Sequence, residues 1–227
     1  MSESTSVLDQ APAADRATVS RVKLLAVVLG VTAVLAAVGG VMWPDPEGGG
    51  ETYLYSDIAP DRDLWFWLLS GLAINAVITV ALQAIAVMFL IRERGSLWAT
   101  IGGALMWLGI TLQAAGVAGW AAAYFYPTDS SVDESVGAAV MEAANNDQAH
   151  LFGLLIPGAI LVIVGTVLQA VAMFRAKVVP IWVPIGTLFS IITFLIPGGG
   201  VVGLITSVPM AAAAIALGVY AVRRARS

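Results

Sequence analysis

Six long uncharged stretches constrain this chain more strongly than any other feature of its sequence. None of them contains Asp, Glu, Lys, Arg or His. A hydrocarbon core about 30 Å thick requires about 20 helical residues to cross it, and all but the fifth stretch have roughly that length. We therefore predict an all-α integral membrane protein with six transmembrane helices, called spans 1 to 6: residues 24–43, 64–91, 97–125, 151–174, 181–196 and 201–222.

The composition favours a membrane over water as the surrounding solvent. The 227 residues are 59% hydrophobic and 11% charged, whereas a soluble domain carries roughly 25% charged residues. The chain has no cysteine and one histidine, which excludes disulfides, thiolate metal sites and a haem held by two histidines. We therefore expect no metal and no cofactor.

Span 5 admits two interpretations. It is short, Pro184 lies near its start and "PGGG" follows it at 197–200, so a re-entrant loop competes with a full crossing. Basic residues accumulate on the cytoplasmic side of short loops. Six crossings with both termini cytoplasmic place ten of the eleven basic residues inside, Arg62 being the exception: Arg16, Arg21, Lys23, Arg92, Arg94, Arg175, Lys177, Arg223, Arg224 and Arg226. This distribution favours six crossings.

The predicted organisation is a polar leader followed by one membrane domain. Residues 1–20 are rich in Ser, Thr, Ala and Asp and predict a disordered cytoplasmic tail. Residues 21–227 form the six-helix domain, with outer loops at 44–63 and 126–150. Tryptophans near span ends indicate the membrane interfaces: Trp43, Trp65 and Trp67 outside, Trp98 and Trp182 inside. We predict that the protein resides in the plasma membrane of a bacterial cell, as its cytoplasmic (inner) membrane.

A short sequence motif, called the repeated phrase below, occurs twice in the chain, each time just before basic residues. "ALQAIAVM" at 81–88 precedes Arg92, and "VLQAVAMF" at 167–174 precedes Arg175. In the six-span arrangement both phrases end at the cytoplasmic face, so spans 2–3 and 4–5 form a parallel two-helix repeat. Chance similarity is the alternative, because apolar segments draw on few residue types.

Four neutral amides lie within the predicted spans, and they are the candidate functional residues in the membrane: Asn75, Gln83, Gln113 and Gln169. An amide in lipid requires a partner, and a hydrogen bond to another helix contributes about 0.6–2 kcal/mol. The residues therefore predict contacts between helices. The alternatives are a polar lining for a ligand pocket and direct contact with a partner protein.

Small residues recur at helical spacing on three spans and predict close helix packing. They form a glycine stripe on span 3 and pairs on spans 1 and 6: Gly102, Gly109 and Gly116, Ala36 and Gly40, Ala214 and Gly218. This pattern does not reveal whether the neighbouring helix belongs to the same chain.

Reactive groups gather only in the outer loops. "SVDE" at 131–134 predicts a capping box, with Ser131 as the cap of a helix over 132–149. On that helix Glu142, Asp147 and His150 could form a metal site or an acid–base pair, although solvated charges are the preferred interpretation. In the first outer loop, "ETYLYSD" at 51–57 predicts a solvated segment, with a short strand or a docking segment as the alternatives.

These observations favour a non-catalytic membrane protein, acting as an accessory or scaffolding subunit of a membrane complex. The spans carry no ionisable residue, which argues against proton-coupled transport. The alternative is a carrier or binder of a neutral small molecule or lipid, with the four amides as its lining; an enzyme at the outer surface is the least favoured class. The expected partners are membrane lipid and other membrane subunits or a second copy. Nucleic acid is not expected, because basic residues cluster only as the topology requires.

Overall fold

The computed structural model describes residues 16–42, 52–195 and 200–227, and the backbone alone for 193–195. Every regular element in these residues is a helix, and none is a strand. The helices are α1 (Arg16–Val41), α2 (Tyr55–Ile58), α3 (Arg62–Leu90), α4 (Ser96–Phe125), α5 (Glu134–Asn146), α6 (Gln148–Leu151), α7 (Leu155–Ala176), α8 (Trp182–Leu195) and α9 (Gly200–Arg226), with a 3₁₀ turn at Ala59–Asp61.

Five helical runs are long and apolar enough to cross a membrane. They are α1, the run Tyr55–Leu90 that ends with α3, α4, α7 and α9. The prediction of an α-helical membrane protein is confirmed at this level. Helix α8 has 14 residues, or about 21 Å at 1.5 Å per residue, which is shorter than a hydrocarbon core. A sixth crossing therefore stays a prediction.

Helices α1 and α9 pack against each other in opposite directions. Near one end, Gly40 on α1 approaches Ser207, and near the other Gly218 on α9 approaches Ala26. Ala214 is fully buried beside this contact. The small residues predicted on these two spans are thus used within the chain, and the start of α1 lies at the same end as the end of α9.

Backbones come closest between α4 and α7. The glycine stripe of α4 meets glycines on α7, because a Cβ at Gly102 would lie 2.7 Å from the carbonyl oxygen of Gly165, and one at Gly109 would lie 2.6 Å from that of Gly158. A Cβ at Gly116 would lie 2.7 Å from the backbone nitrogen of Leu155. We call this contact the glycine seam. Lipid supplies no hydrophobic drive between helices, so close backbone approach is a main source of their attraction.

The outer segment between α4 and α7 differs from the predicted single helix. Asp133, and not Ser131, caps α5: its carboxylate accepts from the backbone nitrogen of Ser135 at 2.9 Å. Ser131 instead donates its hydroxyl to Asp129 at 2.7 Å. The helix stops at Asn146, because Asp147 leaves helical geometry (φ −105, ψ 58) and begins the short helix α6. A carboxylate on a non-helical residue is a strong cap, so each aspartate starts a helix of its own.

Some predictions concern residues outside the described ones. Helix α1 begins at Arg16, so residues 16–20 of the predicted tail are helical, and the rest of that tail lies outside the described residues. The same holds for Trp43, for 44–51 of the first outer loop and for 197–199 of "PGGG".

Candidate functional site

Four aromatic rings form a compact cluster near the outer loops, one from the segment before α2, one from α3 and two from α4. Tyr53, Trp65, Trp120 and Tyr124 have all six centroid separations between 5.5 and 5.9 Å, mostly edge to face. All four are buried. We call this group, with Phe152 beside Trp120, the aromatic cap. Aromatic residues bury large apolar areas, and edge-to-face pairs add to that stabilisation.

The aromatic cap corrects the prediction for Tyr53 and shows the packing of Trp65. Tyr53 was expected in a solvated segment and is 2% exposed. Trp65 was expected near the outer membrane interface, and that position stays a prediction; its ring is buried, and its Nε1 has no hydrogen-bond partner among the described residues. In both cases packing against the other rings outweighs solvation, since an indole or phenol ring is largely apolar.

Hydrogen bonds hold the first outer loop against the second. Asn145 on α5 donates its Nδ2 to the backbone carbonyl of Tyr53 at 3.0 Å, and its Oδ1 accepts from the Tyr124 hydroxyl at 2.6 Å. One asparagine therefore connects α5, the segment before α2 and the end of α4. These hydrogen bonds help to hold Tyr53 in its buried position.

Arg62 makes a second connection at the end of α4. Its guanidinium donates to Asp129 at 2.9 Å and to the Phe125 carbonyl at 3.0 Å, and it lies 4.0 Å from the centroid of the Phe125 ring. Hydrogen bonds from Ser131 first, and then the charge of Arg62, hold the pKa of Asp129 below its usual range. The one basic residue predicted on the outer side is thus paired there.

A cavity of about 310 Å³ lies between the helices and is bounded at one end by the aromatic cap. Tyr53, Trp120 and Phe152 belong to both. Residues from α1, α3, α4, α7, α8 and α9 line it, and none of the described lining residues is charged. The wall is mainly apolar, with six polar side chains: Asn75, Thr79, Gln83, Gln113, Thr166 and Ser190. This size and this lining are typical of small-molecule sites.

Three of the four amides predicted from the sequence line the cavity, and each is held differently. Asn75 donates its Nδ2 to the Thr32 carbonyl on α1 at 2.9 Å, so it is also a contact between helices. Gln83 is 5% exposed and forms no hydrogen bond with any residue that the structure describes. The Oε1 of Gln113 is enclosed and has no partner within the described ranges.

Gln169 does not line the cavity. It is fully buried, and its Nε2 donates to the carbonyls of Ala84 at 3.2 Å and Ala99 at 3.3 Å. It therefore connects α7 with α3 and α4. Gln83 and Gln169 occupy equivalent positions in the repeated phrase, yet one faces a cavity and the other joins helices.

The hydroxyl groups of the wall were not predicted from the sequence, although a signal for one of them was present. Asn75, Thr79 and Gln83 recur every four residues on α3, which places polar groups on one face of an otherwise apolar helix. The spacing alone predicts that face. It does not predict Thr166 or Ser190, which reach the cavity only because α7 and α8 pack around it.

The outer-surface candidates form a pair and not a cluster. The Nδ1 of His150 lies 2.8 Å from both carboxylate oxygens of Asp147. This hydrogen bond lowers the pKa of Asp147 and raises that of His150. Glu142 is exposed and makes no hydrogen bond or ion pair with either. Among the described residues no group of three potential ligands could hold a metal ion, so the alternative of a three-residue metal site finds no support there.

Comparison of the chain with known protein families, with curated proteins and with solved structures finds no match. Functional inference therefore rests on the cavity, the polar groups of its wall and the aromatic cap. The Asp147–His150 pair is exposed, and within the described ranges no third potential metal ligand joins it.

Proposed function

We propose that this protein binds a neutral, mainly apolar small molecule or lipid within the bilayer, as a carrier or binding protein. The observation that supports this is the uncharged cavity, whose wall combines aromatic rings with amides and hydroxyls. A charged ligand would leave water without meeting an opposite charge, which is strongly unfavourable in a low-dielectric site. A neutral ligand meets apolar surface and a few hydrogen-bonding groups, as in most small-molecule sites.

The proposal includes a placement for the chain. In this placement the chain crosses the plasma membrane of a bacterial cell six times, with both termini in the cytoplasm. The basic residues, Arg62 excepted, then lie on the cytoplasmic side, as expected for short loops. The opposite directions of α1 and α9 support termini on one side. In this placement the aromatic cap lies near the outer surface and the cavity extends from it into the membrane.

The accessory-subunit function predicted from the sequence has less support than ligand binding. It depended on small-residue faces that could accept a helix of another protein. The glycine seam and the α1–α9 contact cover those faces with helices of the same chain. No observation on the described residues weakens the case for ligand binding in the cavity in this way, so we prefer the binding function.

Two neighbouring alanines on α4 allow a matched test. Ala114 lines the cavity, whereas Ala115 is exposed on the membrane side. We expect lipid extracts of the protein, purified in mild detergent, to contain a neutral molecule at about one copy per chain. Ala114→Phe should place a ring in the cavity and displace that molecule, and Ala115→Phe should retain it. Mass spectrometry of the extracts measures both.

Size-exclusion chromatography and circular dichroism provide the control, because both variants must remain folded and monodisperse. The proposal fails if no neutral molecule is bound by the wild-type chain. It also fails if both folded variants retain the same molecules in equal amounts.

A further inference from the structure

Gln83 presents an unsatisfied amide to the cavity. It is 5% exposed, lines the cavity from α3, and has no hydrogen-bond partner among the residues that the structure describes. A buried polar group without a partner is destabilising, and such groups are rare in folded proteins. The amide borders the open space of the cavity, so it is free to form a hydrogen bond with a molecule bound there.

Thr166 presents a second free group to the same cavity. Among the described helical threonines, four donate their hydroxyl to the backbone carbonyl four residues earlier: Thr79, Thr111, Thr187 and Thr206. Thr166, on α7, is 1% exposed and makes no such bond, nor any other with the described part of the chain. Its hydroxyl therefore remains available as a donor in the cavity wall.

We infer that the bound molecule carries a neutral carbonyl oxygen that accepts hydrogen bonds from the Gln83 amide and the Thr166 hydroxyl. This inference rests on the proposed ligand binding. A carbonyl has two acceptor sites and no donor, so it matches one amide N–H and one O–H from facing helices. A carboxylate would also accept both bonds, but the lining holds no cation to neutralise it.

The rest of such a molecule is apolar. Tyr53, Trp120 and Phe152 offer ring surface where the cavity meets the aromatic cap, and ring surface stabilises apolar and aromatic groups. Two kinds of membrane molecule carry a neutral carbonyl on an apolar body: glycerolipids with ester carbonyls and quinones with ring carbonyls. The shared chemistry is the carbonyl, and the experiment separates the two sources.

Competition against a neutral fluorophore tests the inference with the full chain in detergent. N-phenyl-1-naphthylamine is the probe, and two matched pairs are the competitors. Dioctanoylglycerol is compared with the diether dioctylglycerol, which keeps the hydroxyl but lacks the carbonyls. Decyl-1,4-benzoquinone is compared with decylbenzene. In at least one pair we expect the carbonyl compound to displace the probe at about tenfold lower concentration, as one or two hydrogen bonds would produce.

Variants then assign the preference to the two donors. Gln83→Leu and Thr166→Val should still bind the probe but should lose most of the preference for the carbonyl compound. Thr111→Val is the matched control, because the Thr111 hydroxyl is exposed, is not part of the cavity wall and donates to a carbonyl of its own helix. This variant should retain the full preference for the carbonyl compound. If Gln83→Leu does not fold, Thr166→Val alone carries the assignment.

The outcomes are distinguishable. If the probe does not bind, the proposed function fails, and this inference fails with it. If the probe binds saturably and both pairs compete equally, ligand binding stands and the carbonyl inference is overturned. The same holds if Thr166→Val keeps the preference as fully as Thr111→Val. A preference in the quinone pair alone indicates a ring carbonyl, and one in the glycerol pair alone indicates an ester.

Discussion

His150 and Asp147 form an exposed pair whose protonation can be followed directly. The side chains are 89% and 56% exposed, and the hydrogen bond between them raises the pKa of His150 and lowers that of Asp147. Because the histidine pKa is raised on folding, the stabilisation is complete below its unfolded pKa and is lost as the pH rises through the folded pKa. The carboxylate contribution is lost at low pH. The pair is therefore strongest between the two folded pKa values.

We expect the single histidine to titrate above its ordinary pKa of 6.5. Asp147→Asn should bring the midpoint down toward the ordinary value, since it removes the charge that favours the imidazolium. The measurement is NMR of the chain with ¹³C-labelled histidine, where one residue gives one signal. Glu142→Gln is the control and should leave the midpoint unchanged, because Glu142 makes no contact with the pair. Equal midpoints in Asp147→Asn and the wild type would contradict the assignment.

For single residues, the sequence predicted which side chains require a hydrogen bond but not which groups they bond to. It identified four amides in apolar surroundings as requiring hydrogen bonds. Gln169 finds two carbonyls on neighbouring helices, whereas Gln83 faces a cavity. The two residues stand in nearly identical sequence contexts, so local pattern could not separate them. The difference arises from which helices surround each one, and only the tertiary packing determines this.

Among the elements, the glycine seam depends on the absence of side chains at specific positions. A Cβ at Gly109 would lie 2.6 Å from the Gly158 carbonyl oxygen and 2.7 Å from the Val162 nitrogen. Both atoms are backbone, so neither can move without shifting α7. Gly119 lies on the same helix, and a Cβ there would have nothing within 4 Å.

Gly109→Ala should therefore destabilise the protein by about 1–3 kcal/mol, the typical effect of overpacking. Gly119→Ala should be neutral or should stabilise by up to about 1 kcal/mol, because alanine favours the helix. Thermal unfolding in detergent, followed by circular dichroism, measures both. Equal melting temperatures for the two variants would contradict the seam.

The elements show where helix prediction from sequence succeeds and where it does not. Hydrocarbon leaves a crossing backbone few alternatives to the helix, so the long apolar runs were predictable. The stripe at Gly102, Gly109 and Gly116 indicated close packing, but its partner became evident only from the register of Gly158 and Gly165. In the polar outer segment several residues can cap a helix, and the choice of Asp133 over Ser131 depends on the turn that Asp129 forms with Ser131.

For the whole molecule, the crossing of α8 decides which side each terminus occupies. The chain has no cysteine, so single cysteines report position without a background. We expect Ala149→Cys to react with a membrane-impermeant maleimide in intact cells. In the six-crossing arrangement Ala149 lies in an outer loop, because the basic residues keep the other loops on the cytoplasmic side. Ser2→Cys and Ser227→Cys should react only after permeabilisation. Labelling of the last two on opposite sides would contradict six crossings and would favour the re-entrant interpretation.

The glycine seam also has a mechanical consequence for the exchange of a bound molecule. Two helices whose main chains touch lose many close backbone contacts at once when they separate, so α4 and α7 should move as one rigid unit. If the proposed binding function holds, any widening that admits the molecule is expected between other helices that line the cavity, such as α1 and α3, which are joined by the Asn75 side chain. The molecule would then enter and leave between the helices that move, while α4 and α7 stay in place.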